Sequence, residues 1–235
     1  VYGVTDVPRP DRFSRVNTFL HVNHEPRRPR YGVLLCINGT GILNAWVKKT
    51  TVPDMSYPEV NRRCAEIPAG SEGVLMLPFG NGAERMLGNR YTGAEAIGLD
   101  LNRHDRFHLL RAAQEGIAFA FRYGMDVMRE TGLRLRVIRA GYANLFLSPV
   151  FRQTLATLCG ADIELYNTDG ALGAALGAAL GVGLYASREE TFASLRKLDE
   201  VRPDPADRDV LERGYARWKA ELENRLGRAS HGTSV

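Results

Sequence analysis

The chain has 235 residues, of which 44% are hydrophobic and 25% are charged. These values are typical of a globular protein and exclude a disordered, collagen-like or coiled-coil chain. The sequence contains no run of about 18 apolar residues, the length that a membrane span requires, so no membrane partner is expected. The length itself allows one or two domains.

The charged residues, 31 basic and 27 acidic, give a net charge of +4 and are interspersed along the chain. Arg27, Arg28 and Arg30 form a basic cluster, which we interpret as a solvated loop, with phosphate or nucleic-acid contact as the alternative. No nucleic-acid partner is therefore expected. The three cysteines lie far apart and lack the spacing of a disulfide framework or a metal site. This pattern favours a reducing cytoplasm.

The hydrophobic pattern predicts strands first, and then alternating helices and strands. β-forming residues separated by turn residues predict an antiparallel meander with strands at residues 1–5, 16–22 and 31–37. Helical spacing, broken by glycine and proline, predicts the later elements: helices at residues 42–49, 57–66, 105–131, 148–159, 170–180 and 206–226, and strands at residues 74–78, 135–139 and 163–166. This order predicts an α/β fold with a mixed sheet flanked by helices.

The two ends of the sequence bear on its organisation. The first residue is not methionine, and residues 1–4 resemble the middle of a strand, so we expect the chain to begin inside a longer protein. The predicted domain covers residues 1–226, and residues 227–235 are expected to form a flexible tail.

Three loops follow predicted strands and lead into helices, where α/β sheets bind their ligands. The first is Asn38-Gly39-Thr40-Gly41, whose glycines would let an anion approach the free N–H groups of the next helix. The second, residues 140–144, has small residues that would admit a ring or a phosphate, and Tyr142 could stack on a base. The third, residues 167–170, precedes a helix of glycine and alanine that would form a nucleotide-site wall, a close helix contact, or both. Each loop alone is also compatible with an ordinary tight turn.

Several longer segments share their order with a known family. Residues 69–79 match the pattern PGSEGLLFLPYLSGER, which continues through Gly82, Glu84 and Arg85. Residues 111–119 match RAVLEGVAF, residues 170–175 match EGAALGAA, residues 37–48 resemble AGGSLRWLRD, and residues 1–22 resemble a hairpin that ends in VHTFCHA. Together, over residues 1–219, the chain resembles the carboxyl-terminal half of the FGGY carbohydrate kinases, especially the xylulokinases.

The resemblance implies an actin-like ATPase fold built from two ribonuclease H-like domains, of which this chain would be the nucleotide-binding one. ATP and Mg²⁺ would be its cofactors, and the γ-phosphoryl group would pass to a sugar hydroxyl, converting D-xylulose to D-xylulose 5-phosphate. The partner would be an N-terminal sugar-binding domain of the same parent chain, and a homodimer is expected. The catalytic base is expected upstream of residue 1, so the chain alone should be inactive.

The loops and the resemblance together predict the nucleotide-site residues in this sequence. They are Gly39, Thr40, Gly41, Asn44, Ala45, Gly141, Tyr142, Ala143, Asn144 and Ser148. The family's polar residue before the tryptophan falls at Ala45, so that adenine contact is either missing or supplied by Asn44.

The loop at residues 140–144 departs from the family's Gly-Gly-Gly-Ala type segment, and Asp169 stands where many members have glutamate. These departures leave two alternatives. One is a non-catalytic regulatory or scaffold module on the same fold. The other is a kinase for another sugar or polyol, such as ribulose, fuculose or glycerol.

Overall fold

A computed structural model describes residues 1–231. Its strands are β1 (Tyr2–Thr5), β2 (Asn17–Leu20), β3 (Tyr31–Leu34), β4 (Leu75–Phe79), β5 (Gly93–Ile97), β6 (Val137–Gly141), β7 (Asp162–Tyr166) and β8 (Lys197–Val201). Its helices are α1 (Thr40–Thr51), α2 (Tyr57–Glu66), α3 (Arg106–Glu130), α4 (Pro149–Cys159), α5 (Gly170–Gly181), α6 (Arg188–Thr191) and α7 (Pro205–His231). The α/β architecture expected from the sequence is confirmed.

The strands form three separate sheets. The expected mixed sheet is β6-β7-β8, in which β6 and β7 are parallel and β7 and β8 are antiparallel. β4 and β5 form an antiparallel pair. The predicted N-terminal meander is wrong in its pairing, because β1 and β2 both pair with β3 rather than with each other. The segment between them folds on itself instead, since Asp11 accepts hydrogen bonds from the backbone and guanidinium of Arg15.

The long helix α3 organises the core. It begins at a capping box in which Asp105 accepts from the backbone of His108 and the His108 ring accepts from Asp105 N–H. At Gly116 the helix lies so close to β4 that a Cβ atom would overlap the carbonyl oxygen of Met76. The same carbonyl accepts the indole N–H of the fully buried Trp218 at 2.9 Å. The core therefore joins α3, β4 and α7 through one backbone position.

Besides shifts of a few residues at several element ends, three elements and the end of the last helix differ from the sequence-based expectation. β5, α6 and β8 were not predicted, because their short, Ala- and charge-containing sequences carry little β or helical signal and their pairing is tertiary. The tail predicted from residue 227 is wrong as far as residue 231, because α7 continues to His231. Residues 232–235 lie outside the described residues. Among the helices described, none has the length and apolar character needed to span a membrane.

Candidate functional site

The three loops singled out in the sequence meet around one cavity of about 1180 Å³. The first loop contributes Thr40, Gly41 and Asn44, the second Gly141, Ala143 and Asn144 with Ser148, and the third Thr168, Asp169 and Gly170. Seven of the ten sequence-predicted contact residues therefore line a common space, although they lie as far apart in the chain as residues 40 and 148.

The other three predicted residues do not line the cavity. Gly39 is buried behind it, where a Cβ atom would overlap the Pro78 carbonyl oxygen. Ala45 is exposed on α1, whereas Asn44, the alternative for the adenine contact, does line the cavity. Tyr142 turns its ring toward the guanidinium of Arg152, 5.7 Å from the ring centroid.

The helix starts at the cavity differ in electrostatics. Ser148 caps α4 by accepting from Phe151 N–H at 3.3 Å, and Asp169 caps α5 by accepting from Leu172 N–H at 2.8 Å. At α1 the N-cap is Gly39, no side chain caps the first turn and no acidic residue lies in it. The buried Glu84, which does not line the cavity, accepts from Gly39 N–H, but no side chain covers the first turn of α1 on the cavity side. The N–H groups of that turn therefore make it the helix start suited to an anion.

Gly41 lies at this uncovered end of α1. A Cβ atom added there would meet nothing within 4 Å, so the backbone is open to the cavity. A bound group can therefore approach the first turn of α1 without displacing any side chain.

The floor of the cavity is a chain of three hydrogen-bonded polar side chains. Ser148 was predicted from the sequence, whereas Gln114 and Asn61 were not. The Ser148 hydroxyl donates to Gln114 Oε1 at 2.6 Å, and Gln114 Nε2 donates to Asn61 Oδ1 at 3.3 Å. Gln114 is only 1% exposed and occupies the position of leucine in the matched pattern RAVLEGVAF. A polar residue on the buried face of α3 was the signal that could have identified this floor.

One wall of the cavity is apolar and largely aromatic. The rings of Phe121 and Phe146 both pack edge-on against Phe151, with centroids 5.7 and 5.3 Å apart. The remaining apolar lining is Leu145, Leu147 and Leu195. A planar ring system can bury one face against the partly exposed rings of Phe121 and Phe146, which the fully buried Phe151 supports from behind.

The charged groups of the cavity are few. Arg139 lines it and donates to Glu164 Oε2 at 2.7 Å. The lining carboxylate, Asp169, is engaged as a helix cap. No group of three His, Cys, Asp or Glu residues within residues 1–231 could hold a metal ion. Mg²⁺ at phosphate-binding sites is usually held by one or two carboxylates together with the phosphates, so this absence concerns only a site built from three such side chains.

Helix α5 takes part in the cavity only at its first turn. The sequence predicted a nucleotide wall or close helix packing along its glycines. Cβ atoms at Gly173, Gly177 and Gly181 would all meet open space, so no helix packs closely on this face among the described residues. Of this helix and its N-cap, only Gly170 and Asp169 line the cavity.

Comparison with known proteins supports the same family. The chain matches the model of the FGGY family of carbohydrate kinases, C-terminal domain, over residues 7–184. It is 31% identical to a xylulose kinase of Haemophilus influenzae over 181 residues, covering 72% of this chain and 35% of that protein. It is also 31% identical to an L-xylulose/3-keto-L-gulonate kinase of Escherichia coli over 173 residues, covering 71% and 33% respectively.

Solved structures agree at the level of the fold. The crystal structure of a xylulose kinase from Rhodospirillum rubrum superposes with a TM-score of 0.80 and 25% identity, covering 97% of this chain and 46% of that one. The crystal structure of a Plasmodium falciparum glycerol kinase with ADP superposes with a TM-score of 0.72 and 22% identity, covering 90% of this chain and 42% of that one. The chain thus spans between a third and a half of the length of these proteins. The matched family model, the relatives and the fold agree that the chain belongs to the FGGY family of carbohydrate kinases, as its C-terminal domain.

Proposed function

We propose that the chain is the ATP-binding half of a sugar kinase that transfers the γ-phosphoryl group of ATP to D-xylulose, giving D-xylulose 5-phosphate. We further propose that it forms a ribonuclease H-like domain of the actin-like ATPase class. The observation that carries the nucleotide assignment is the convergence of three glycine-containing loops on one cavity.

The proposed orientation of the nucleotide follows from the polarity of the walls. The phosphates lie at the first turn of α1, where Gly41 leaves the backbone open and the helix itself contributes no acidic residue. The adenine ring lies against Phe121 and Phe146, the partly exposed rings of the aromatic wall. Binding of ADP to the structurally similar glycerol kinase supports a nucleotide in this fold.

The sugar is proposed from the relatives. Xylulose kinases recur among proteins that resemble this chain in sequence and in structure, which supports D-xylulose. Relatives named for L-xylulose or 3-keto-L-gulonate and for glycerol mark the alternatives. The chain covers less than half of each of these proteins, so sugar contacts are proposed to come from the N-terminal domain of the parent chain.

The chemistry assigned to this chain is binding and positioning. Its residues hold the nucleotide base, orient the phosphates with the α1 dipole and exclude water from the apolar wall, which are the usual protein contributions to phosphoryl transfer. Mg²⁺ is the proposed second cofactor; it would be held chiefly by the nucleotide phosphates and would neutralise charge on the transferred group. No residue of this chain is assigned the role of catalytic base.

Isothermal titration of the chain with ADP, and separately with ATP, tests the proposal. Saturable binding with one site is expected. An absence of heat at millimolar nucleotide would contradict nucleotide binding by this domain and favour a regulatory or scaffold module. A coupled ADP-release assay with D-xylulose is expected to show no turnover by the chain alone.

A further inference from the structure

A buried carboxylate lies directly behind the start of α1. Glu84, in the loop after β4, is 0% exposed. Its oxygens accept from Asn38 N–H at 3.0 and 3.2 Å, and one of them also accepts from Gly39 N–H at 3.2 Å. These amides form the turn that leads into α1. Within residues 1–231, no cationic side chain forms an ion pair with Glu84.

Such a group is costly to bury. A carboxylate removed from water without a cationic partner destabilises the fold unless hydrogen bonds replace its hydration. Burial raises the pKa of Glu84, and the two backbone hydrogen bonds partly oppose the shift. An apolar residue here would leave the Asn38 and Gly39 amides without this acceptor, so the carboxylate serves the turn that it holds.

The same turn is held from two further sides. Asn81 Nδ2 donates to the Asn38 carbonyl at 3.3 Å, and Asn38 Nδ2 donates to the Ala83 carbonyl at 3.3 Å. On the opposite side, Gly39 packs so closely on β4 that a Cβ atom would overlap the Pro78 carbonyl oxygen. The turn is therefore fixed between β4 and the glycine-rich loop of residues 80–84, immediately before the cavity-lining Thr40.

We infer that Glu84 is a positioning residue of the nucleotide site, because it holds the Asn38–Gly39 turn so that the first turn of α1 faces the cavity. This inference rests on the proposed nucleotide function. Glu84 does not line the cavity, so it acts through the backbone of the turn and not by contact with the nucleotide. The loop after β4, whose Gly82 and Glu84 belong to a matched family pattern, thereby acquires a role.

The test compares Glu84→Gln with the exposed substitution Glu223→Gln on α7. Glu84→Gln keeps the volume but removes the charge and one acceptor oxygen. We expect it to raise the dissociation constant for ADP by about five- to tenfold and to speed hydrogen exchange at residues 38–39 by a similar factor. Glu223→Gln should change neither quantity.

The outcomes are separable. If the wild-type chain binds no ADP, the proposed function fails, and the positioning role fails with it. If the wild type binds and Glu84→Gln binds equally well, the inference alone is wrong, whatever the exchange shows. Should Glu84→Gln fail to fold, Asn81→Ala, at an exposed position, decides in its place. Weaker ADP binding and faster exchange at residues 38–39 would support the inference, and unchanged values of both would overturn it.

Discussion

Gly141 and Thr168 approach so closely that a Cβ atom on Gly141 would overlap the Thr168 carbonyl oxygen. Gly141 ends β6, and Thr168 belongs to the loop between β7 and α5. From the sequence, Gly141 was expected to be glycine so that a nucleotide could approach the backbone. The structure supplies a different reason, since the absence of a side chain here lets two walls of the cavity meet.

Replacing Gly141 should therefore affect the fold before it affects nucleotide binding. Gly141→Ala forces β6 and the third loop apart, and we expect a loss of about 1–3 kcal/mol of unfolding free energy. Chemical denaturation measures this loss. An unchanged denaturation midpoint would show that the loop shifts without cost and that the contact is not a constraint.

Gly41, in the first loop, contrasts with Gly141, because a Cβ atom at Gly41 would meet no other atom within 4 Å. Glycine is also a poor helix former, so Gly41→Ala should leave stability unchanged or raise it by up to about 1 kcal/mol. The larger Gly41→Val should weaken ADP binding by about tenfold or more, because its branched side chain covers the first turn of α1. Isothermal titration alongside Gly141→Ala separates the two effects. Wild-type affinity in Gly41→Val would place the phosphates elsewhere.

A buried hydrogen-bond network outside the cavity joins two segments that match family patterns, residues 69–79 and residues 111–119. Glu115 accepts from the Ser71 hydroxyl at 2.8 Å and from Gly70 N–H at 3.0 Å, and Arg111 Nε donates to it at 2.7 Å. Arg111 also donates to the Cys64 carbonyl at 3.2 Å. The network joins the loop before β4 to α3, and so it serves the fold.

Glu115→Gln should destabilise the chain by about 3–5 kcal/mol, because it leaves the buried Arg111 guanidinium without its counter-charge. Thermal and denaturant unfolding measure the loss. Glu59→Gln is the control, since Glu59 pairs with Arg62 on the exposed face of α2 and should leave the midpoint nearly unchanged. Equal effects of the two substitutions would argue against a structural role for the network.

The three cysteines should differ sharply in reactivity. Cys36 is exposed, whereas Cys64 and Cys159 are buried. Burial raises the pKa of both buried thiols to about 12, and the thiolate is the reactive form. A native chain should therefore react rapidly with one equivalent of a disulfide reagent at pH 8, and a denatured chain with three. Rapid reaction of a second thiol in the native state would contradict the packing around α2 or α4.

Glu84 should also affect how stability depends on pH. Because burial raises its pKa in the folded state, the folded chain binds this proton more tightly than the unfolded chain does. The stabilisation from protonation is complete below the ordinary carboxyl range and is lost as pH rises through the raised pKa. The unfolding free energy of the wild type minus that of Glu84→Gln should therefore fall as pH increases from about 4 to 7. A difference that rises with pH would show that the amide hydrogen bonds outweigh burial.

Local sequence signals predicted much of the fold because they are strong where helices begin and end. Ser56 and Pro58 mark the start of α2, and Ser148, Pro149 and Gly160 bracket α4; both helices were predicted at their observed positions. The pairing of β1 with β3 and the existence of β8 could not be predicted in this way. Those features depend on which strands meet in three dimensions, and no local pattern encodes that.

In the candidate site, too, the residues with a local sequence signal were predicted and those that depend on tertiary packing were not. The loops around Gly41 and Gly141 were identified because glycine between a strand and a helix is a local signal. Gln114 was missed because its place in the cavity depends on how α3 packs against the start of α4, where the Ser148 hydroxyl meets it. Tyr142 was expected to stack on a base because it is the aromatic residue of a loop that otherwise consists of small residues and one asparagine. In the structure its ring instead lies beside Arg152.

The central claim is that this cavity binds a nucleotide, and a crystal structure of the chain with ADP tests it most directly. We predict that the diphosphate lies at the first turn of α1 beside Gly41, with the adenine ring against Phe121 and Phe146. ADP bound at another surface, or an empty cavity at millimolar ADP, would contradict the account.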